Sequence, residues 1–419
     1  MTYTQTPTKQ KKKNEPSLLF IICFFAYMSS YIGRFPLSAL MSDMIADGVF
    51  DKALAGTVTT AYMILYGAGQ LIFGRLSRNL PPPILMSTGL IGCAVCNIFM
   101  GVFPFYATSV VFWGMNGIFN AMLWPALIRA FAEWLPAARQ YNAGVNIGLS
   151  IPCGSILSLL LCSLFLHFLS WRTCFILCGS TVLFAGIVTA LGFASIRSYC
   201  KDMANVFSER LLHTKEEGAS VKFPFKALFL SLAVMIVPAI MINGALKDSV
   251  SNWVPTIISD SFGTAPSFSA FLSILIPVVS MTGSYIAKAI DRFFKNELKT
   301  AGVLFLISAI CISVLLVFGK ANVFLSVALI AISTAATWGI NTMIVVLFPY
   351  RFAKIGASGM VSGIYNCLCF LFSGITSSLY GAIASGSGWT TVFGVWLVMA
   401  LVAAASSFIA SIKSRTLNY

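Results

Sequence analysis

The 419-residue chain is 58% hydrophobic and only 10% charged, whereas an average soluble domain is about a quarter charged. That balance excludes a soluble globular protein, and the supply of apolar side chains excludes disorder. A formal charge of +14, from 27 Lys and Arg against 13 Asp and Glu, would suggest nucleic acid in a soluble chain, so its meaning depends on where the cations fall.

A bilayer-spanning helix needs about 20 mostly apolar residues. Twelve such runs follow one another, near 18–41, 54–74, 83–104, 107–132, 141–168, 171–195, 226–258, 266–290, 300–319, 321–349, 354–384 and 388–411. The pattern predicts an all-α membrane protein with twelve transmembrane helices in two pseudo-symmetric six-helix bundles. Residues 1–16 read as a basic cytoplasmic tail, 17–195 as the first bundle, 196–225 as a polar, basic central loop, 226–412 as the second bundle and 413–419 as a cytoplasmic tail. No run has the short apolar core and cleavage site of a removable signal, so the first span is expected to be retained.

The cations set the orientation. With both termini cytoplasmic, 21 Lys and Arg fall in cytoplasmic segments and only Lys52, Arg172 and Lys320 in outer ones. That split follows the positive-inside rule. The predicted location is the cytoplasmic (inner) membrane, with the lipid bilayer rather than nucleic acid as the neighbour of the basic loops. The two halves echo each other: each has a cation inside its first span and a short basic loop after its second, at Gly74–Ser77–Arg78 and at Ala287–Asp291–Arg292.

The eleven cysteines lie at no metal-ligand or CxxC spacing, and His167 and His213 stand apart. No Walker A or dinucleotide-binding sequence occurs. These features predict no enzyme, no cofactor and no metal, and an energy source in a solute gradient.

Three cations lie inside spans: Arg34, Arg129 and Lys247. A charge at mid-bilayer costs about 2.5–3.5 kcal/mol on insertion scales, so each needs a reason. Arg34 precedes Asp43, taken as the outer edge, by nine residues, or about 14 Å of helix, close to the midplane. Lys247 is equally central in the seventh span. Two facing cations on the first helix of each half would hold a small anionic solute, Arg by its fork and Lys as a point charge. Tyr27, Tyr31 and Arg34 are spaced to share one helix face, and Tyr66 and Gln70 make a similar pair on the second span. Asp248 follows Lys247; neighbours in sequence do not face each other on a regular helix, so the pair need not close on itself, and Asp248 could neutralise either cation. Arg129, with Glu133 four residues on, reads as a structural or gate ion pair near the cytoplasmic end of the fourth span. Apart from Asp248 and Glu133 no carboxylate lies inside a span, which favours anion exchange over proton coupling. Because substrate would bind between halves of one chain, a monomer is expected to suffice.

These residues resemble a known group, the organophosphate:inorganic phosphate antiporters of the major facilitator superfamily, which includes glycerol-phosphate and hexose-phosphate transporters. Tyr27…Tyr31-Ile32-Gly33-Arg34 is similar to that family's first helix. Tyr66-Gly67…Gln70…Gly74-Arg75-Leu76-Ser77 is similar to its second, and Trp124-Pro125, Arg129, Trp134 and Arg139 to its fourth. Asn146-Ile147-Gly148, Trp171-Arg172…Phe175, Lys247-Asp248…Trp253-Val254-Pro255-Thr256 and Ser362-Gly363-Ile364-Tyr365 resemble its fifth, sixth, seventh and eleventh helices. The resemblance implies that Arg34 and Lys247 hold a phosphate, with Tyr27, Tyr31, Tyr66, Trp124 and Tyr365 lining the site. It also marks departures: Lys247 stands in place of an arginine, Gln70 of a lysine, Val145 of a histidine and Arg78 of an aspartate. The substrate class therefore extends to carboxylates, sugar acids and modified phosphates. Two other functions fit the same architecture: a transporter-like sensor of a phosphorylated solute, and a proton-coupled carrier of a neutral or cationic solute.

Overall fold

The computed structural model describes residues 8–77, 80–203, 234–319, 321–348 and 358–414. Arg78, Lys320, Arg351, Lys354, Arg415, most of the basic central loop and the first eight residues of the seventh expected span lie outside the described residues. Among the described residues every regular element is a helix.

The first half comprises α1 (Thr8–Ile32), α2 (Pro36–Ala46), α3 (Lys52–Leu76), α4 (Pro82–Val102), α5 (Tyr106–Ala121), α6 (Leu123–Trp134), α7 (Ala137–Asn146), a single turn at Ile147–Leu149, α8 (Ser150–Phe168) and α9 (Trp171–Ser195). The second half comprises α10 (Val234–Gly244), a π-helical turn (Ala245–Ser249), α11 (Val250–Phe262), α12 (Pro266–Leu272), α13 (Leu275–Phe294), α14 (Glu297–Phe318), α15 (Val323–Asn341) with a second π turn (Thr342–Leu347), α16 (Ser358–Ser387) and α17 (Trp389–Ser414). Several expected spans are thus two helices in series: α1 and α2 form the first, α5 and α6 the fourth, and α10 and α11 the seventh.

Ten helical stretches among the described residues are long and apolar enough to cross a membrane. The other two expected spans are helical but less apolar. The α3 helix, 25 residues long, is diluted by threonine, glycine, tyrosine and Gln70. The seventh is described only from Val234 on, and its middle carries Lys247 and Asp248 on the π turn. Helix starts follow local chemistry. Asp51 caps α3 through Leu54 N at 2.8 Å, Asn296 caps α14 through Leu298 N at 3.1 Å, and prolines open α2, α4 and α12, where a missing N–H costs nothing. Large apolar side chains such as Phe184, Leu191, Ile310 and Phe324 stand exposed on the outer surface. In water they would be a liability; against lipid tails they are at home.

The halves repeat one packing scheme. In the first, α4 lies against α9 and α3 against α5; in the second, α14 lies against α17 and α13 against α15. A polar fastener repeats as well. The indole N–H of Trp171, which opens the sixth span, donates to Asp47 Oδ2 at 2.7 Å. That of Trp389, which opens the twelfth, donates to Asp260 Oδ2 at 2.8 Å. Each half thereby ties the far end of its first span to the start of its last.

Contacts between halves concentrate at this same end of the bundle. There α3 packs on α16, α2 on α11 and α8 on α12. Lys52 Nζ lies 2.7 Å from Asp260 Oδ2, Ser38 Oγ donates to Asn252 O at 2.7 Å, Thr60 Oγ1 donates to Gly374 O at 2.5 Å and Ser163 Oγ donates to Ser267 O at 2.9 Å. Glycine makes the approach possible: a Cβ on Gly56 would lie 2.7 Å from Ser378 Cα, and one on Gly381 would run into the Lys52 carbonyl. Further along α3 the contact ends; Leu71, Ile72, Gly74 and Arg75 are exposed.

Candidate functional site

Arg34 sits where the first span breaks. Pro36 has no N–H, so the Ile32 carbonyl loses its helical donor, and the backbone is irregular from Gly33 to Phe35. Backbone groups at membrane depth must find partners within the protein, and here side chains supply them. Ser158 Oγ of α8 donates to Ile32 O at 3.3 Å. The side-chain amides of Asn97 on α4 and Asn116 on α5 both donate to Gly33 O at 2.9 Å. Three neighbouring helices therefore fix the peptide from which the Arg34 side chain leaves.

That side chain enters a ring of aromatics. Arg34 Cζ lies 5.4 Å from the ring centroid of Tyr31, 5.4 Å from Tyr62, 4.9 Å from Tyr66 and 5.5 Å from Phe370. All four distances are within cation–π range. Phe370 belongs to α16, so the ring is closed by a residue of the second half. Among the described residues Arg34 makes no ion pair. A small cavity beside it is lined by Ser38, Tyr62, Thr59 and, from the second half, Asn252. The Tyr62 hydroxyl and the Asn252 side-chain N–H are buried there without a hydrogen-bond partner. A guanidinium fork and two unused donors around one cavity can receive an oxyanion.

Lys247 is on the π turn and only 5% exposed. Its Nζ lies 3.1 Å from Asp248 Oδ2, 4.7 Å from the Trp338 ring and 5.7 Å from the Phe370 ring. Of the two cations that Asp248 could neutralise, it pairs with its own neighbour. A π turn does not hold the divergence of a regular helix, and the flexible lysine stem closes the remaining gap. The contact is an ion pair without hydrogen-bond alignment, since Asp248 Oδ2 has no hydrogen-bond partner.

The remaining predicted residues are arranged around this centre to different degrees. Tyr27 stacks edge-on to Tyr31 at 5.6 Å and meets Trp124 at 5.1 Å, so Trp124 joins through Tyr27 rather than at the cation. Tyr365 is buried on α16, five residues before Phe370 and about 7.5 Å along the helix. Gln70 is half-buried one turn beyond Tyr66. Arg129 and Glu133 pair as expected, Nε to Oε1 at 2.6 Å. Arg129 also donates through Nη1 to the carbonyls of Ser77 and, at 3.0 Å, Leu80. It clasps the turn after α3 and takes no part in the ring.

Sequence reasoning missed Tyr62, Phe370, Trp338, Asn97, Asn116 and Asn252. Tyr62 was within reach, four residues before Tyr66 and so on the same face, with the two rings stacked at 5.9 Å. Phe370 and Asn252 carry no local signal, because only the docking of the halves brings them near Arg34, and Trp338 is placed by packing within the second half against Lys247.

The model of the Major Facilitator Superfamily matches residues 19–378. The chain belongs to that superfamily. This superfamily member is 26% identical over 245 residues to a probable hexose phosphate transport protein of Chlamydia muridarum, an alignment covering 54% of each chain. It is 27% identical over 315 residues to the glycerol-3-phosphate transporter of Bacillus subtilis, covering 69% of this chain and 68% of that one. The chain thus spans about half the length of the first relative and about two thirds of the second. A solved D-xylose-proton symporter, 12% identical, superposes with a TM-score of 0.71 over 98% of this chain and 100% of its own, which shows a shared fold. The major facilitator fold makes this a multi-pass membrane protein.

Proposed function

We propose that the chain is a secondary active transporter that moves a small organic anion, a sugar phosphate or a related organophosphate or carboxylate, across the cytoplasmic membrane in exchange for phosphate. The observation that carries this reading is the Arg34 guanidinium, held at the junction of the two halves by rings from both, beside two unused hydrogen-bond donors and without a carboxylate partner among the described residues. Relatives named as phosphate-ester transporters support the substrate class. Arg34, Tyr62 and Asn252 receive the anion; Tyr31, Tyr66 and Phe370 exclude water from the cation; Lys247, Tyr27, Trp124, Tyr365 and Gln70 complete the walls.

Transport proceeds by alternating access, with the halves 17–195 and 226–412 rocking about this centre. With both termini cytoplasmic, the packed end that holds Lys52 and Asp260 is the outer one, and the described conformation is closed to the outside. An unpaired guanidinium crossing the membrane interior without its anion is costly, so empty reorientation is slow and exchange is favoured. The monomer suffices, since both halves come from one chain.

The test is counterflow in reconstituted vesicles preloaded with phosphate, with labelled sugar phosphates and carboxylates supplied outside. Arg34→Ala is expected to abolish exchange while the purified protein keeps its monodisperse profile. Wild-type exchange by that variant would remove Arg34 from the site, and saturable ligand binding without flux in the native chain would indicate a sensor instead.

A further inference from the structure

The charges at the site do not add as their positions suggest. Two cations and one carboxylate meet there, and the carboxylate is committed: Asp248 Oδ2 lies 3.1 Å from Lys247 Nζ. Both side chains are nearly enclosed, at 6% and 12% exposure, so solvent screens the pair weakly. Among the described residues, the other charged and titratable groups that act on Asp248 are Tyr31 of α1, Arg34 in the break just beyond it and Cys369 of α16. None of these described groups is a second carboxylate. The empty site therefore carries one net positive charge, not two.

We propose that Asp248 is a specificity-determining residue that sets the charge of the transported species at minus one. The proposal rests on the reading above that the site takes an anion. A monoanion leaves the occupied site neutral, the cheapest condition for carrying it through the membrane interior. A dianion would leave one uncompensated negative charge beside Asp248, where the low dielectric makes like-charge repulsion strong. The poor alignment of the ion pair fits this role. Lys247 is neutralised by an oxygen that takes no hydrogen bond, and its ammonium can still turn toward a ligand from its position 5.7 Å from Phe370.

Two isosteric probes separate the charges. A hexose 6-sulfate is a monoanion at every working pH. A hexose 6-phosphate passes from monoanion to dianion around pH 6. Both are used as competitors of phosphate counterflow in reconstituted vesicles, near pH 5 and near pH 8. In the native protein the sulfate ester is expected to compete equally at both pH values, while the phosphate ester loses roughly tenfold in potency on going to the higher pH. Asp248→Asn is expected to reverse the preference at high pH by a similar factor, and Asp248→Glu to keep the native profile. If the native protein takes both esters equally at high pH, or if Asp248→Asn leaves their ratio unchanged, the proposal is overturned. The native measurement decides even if the asparagine variant does not fold. If neither ester nor phosphate competes at all, the anion reading of the site fails and this inference falls with it; charge-blind competition defeats the inference alone.

Discussion

The ring of Phe370 lies 5.5 Å from Arg34 Cζ across the junction of the two halves. It is also within 5.7 Å of Lys247 Nζ, so a single apolar side chain separates the buried cations and touches each through its π face or edge. When the halves rock, Arg34 and Phe370 belong to different moving bodies. In the alternating-access cycle proposed above, the cation–π contact would be made and broken at each passage.

Replacing Phe370 by leucine removes the ring but keeps bulk. A cation–π contact is worth about 0.5–2 kcal/mol, so counterflow is expected to fall by roughly twofold to thirtyfold. Phe370→Tyr, which keeps the π face, is expected to restore most of it. Equal rates for the leucine and native proteins would show that the ring contributes only packing.

At the outer end, Lys52→Ala removes the one ion pair described between the halves while leaving Trp389 on Asp260. Both partners are 27% exposed, and pairs of that kind contribute about 0.2–1 kcal/mol. The conformational balance is expected to shift toward an open outer end by up to about fivefold. The check is the labelling rate, by an impermeant thiol reagent, of a cysteine placed at Ser38 in a background freed of native cysteines. An unchanged rate would mean that packing of α3 on α16 alone keeps this end shut.

Gly33 O accepts from two amides, and this redundancy can be tested. Asn97→Ala or Asn116→Ala leaves one donor, and each is expected to lower the melting temperature only slightly. The double variant leaves a buried carbonyl without a donor, at a cost of about 1–3 kcal/mol, and loosens the peptide that aims Arg34. Its melting temperature and its apparent affinity for phosphate are expected to fall together, by more than the sum of the singles.

Arg129 spends its donors on Glu133 and on two backbone carbonyls. Arg129→Lys keeps the charge but cannot span all three acceptors. It is expected to lose stability by about 1–3 kcal/mol and to slow transport without changing which anions compete. An altered competitor profile would place Arg129 in the substrate path instead.

The spans and their division into halves were legible because lipid demands runs of about 20 apolar residues and cations gather on one side of the membrane. Arg34 was legible because a charge at membrane depth is costly, and Tyr31 and Tyr66 followed from helical spacing. Lys247 was found on the same ground, but which cation Asp248 neutralises was not decided. The 3.6-residue period left that pairing open, and nothing local announces that Ala245–Ser249 winds as a π turn. Phe370, Trp338 and Asn252 were hidden for a different reason. They are ordinary residues for a membrane helix, and their meaning comes only from contacts across long sequence separations. Tyr62 was simply overlooked, one helical turn from a residue already chosen.

The paired indole–carboxylate fasteners bear on how the molecule deforms. Trp171 on Asp47 and Trp389 on Asp260 each bind the first helix of a half to the last at one rim. A half closed in this way resists fanning apart, so each acts as a stiff lever and displacement at one rim is delivered to the other. Asp260 differs from Asp47 in one respect: it also receives Lys52 from the opposite lever. The duplicated rivet has thus become a latch on one side only, and releasing it frees the levers without dismantling either.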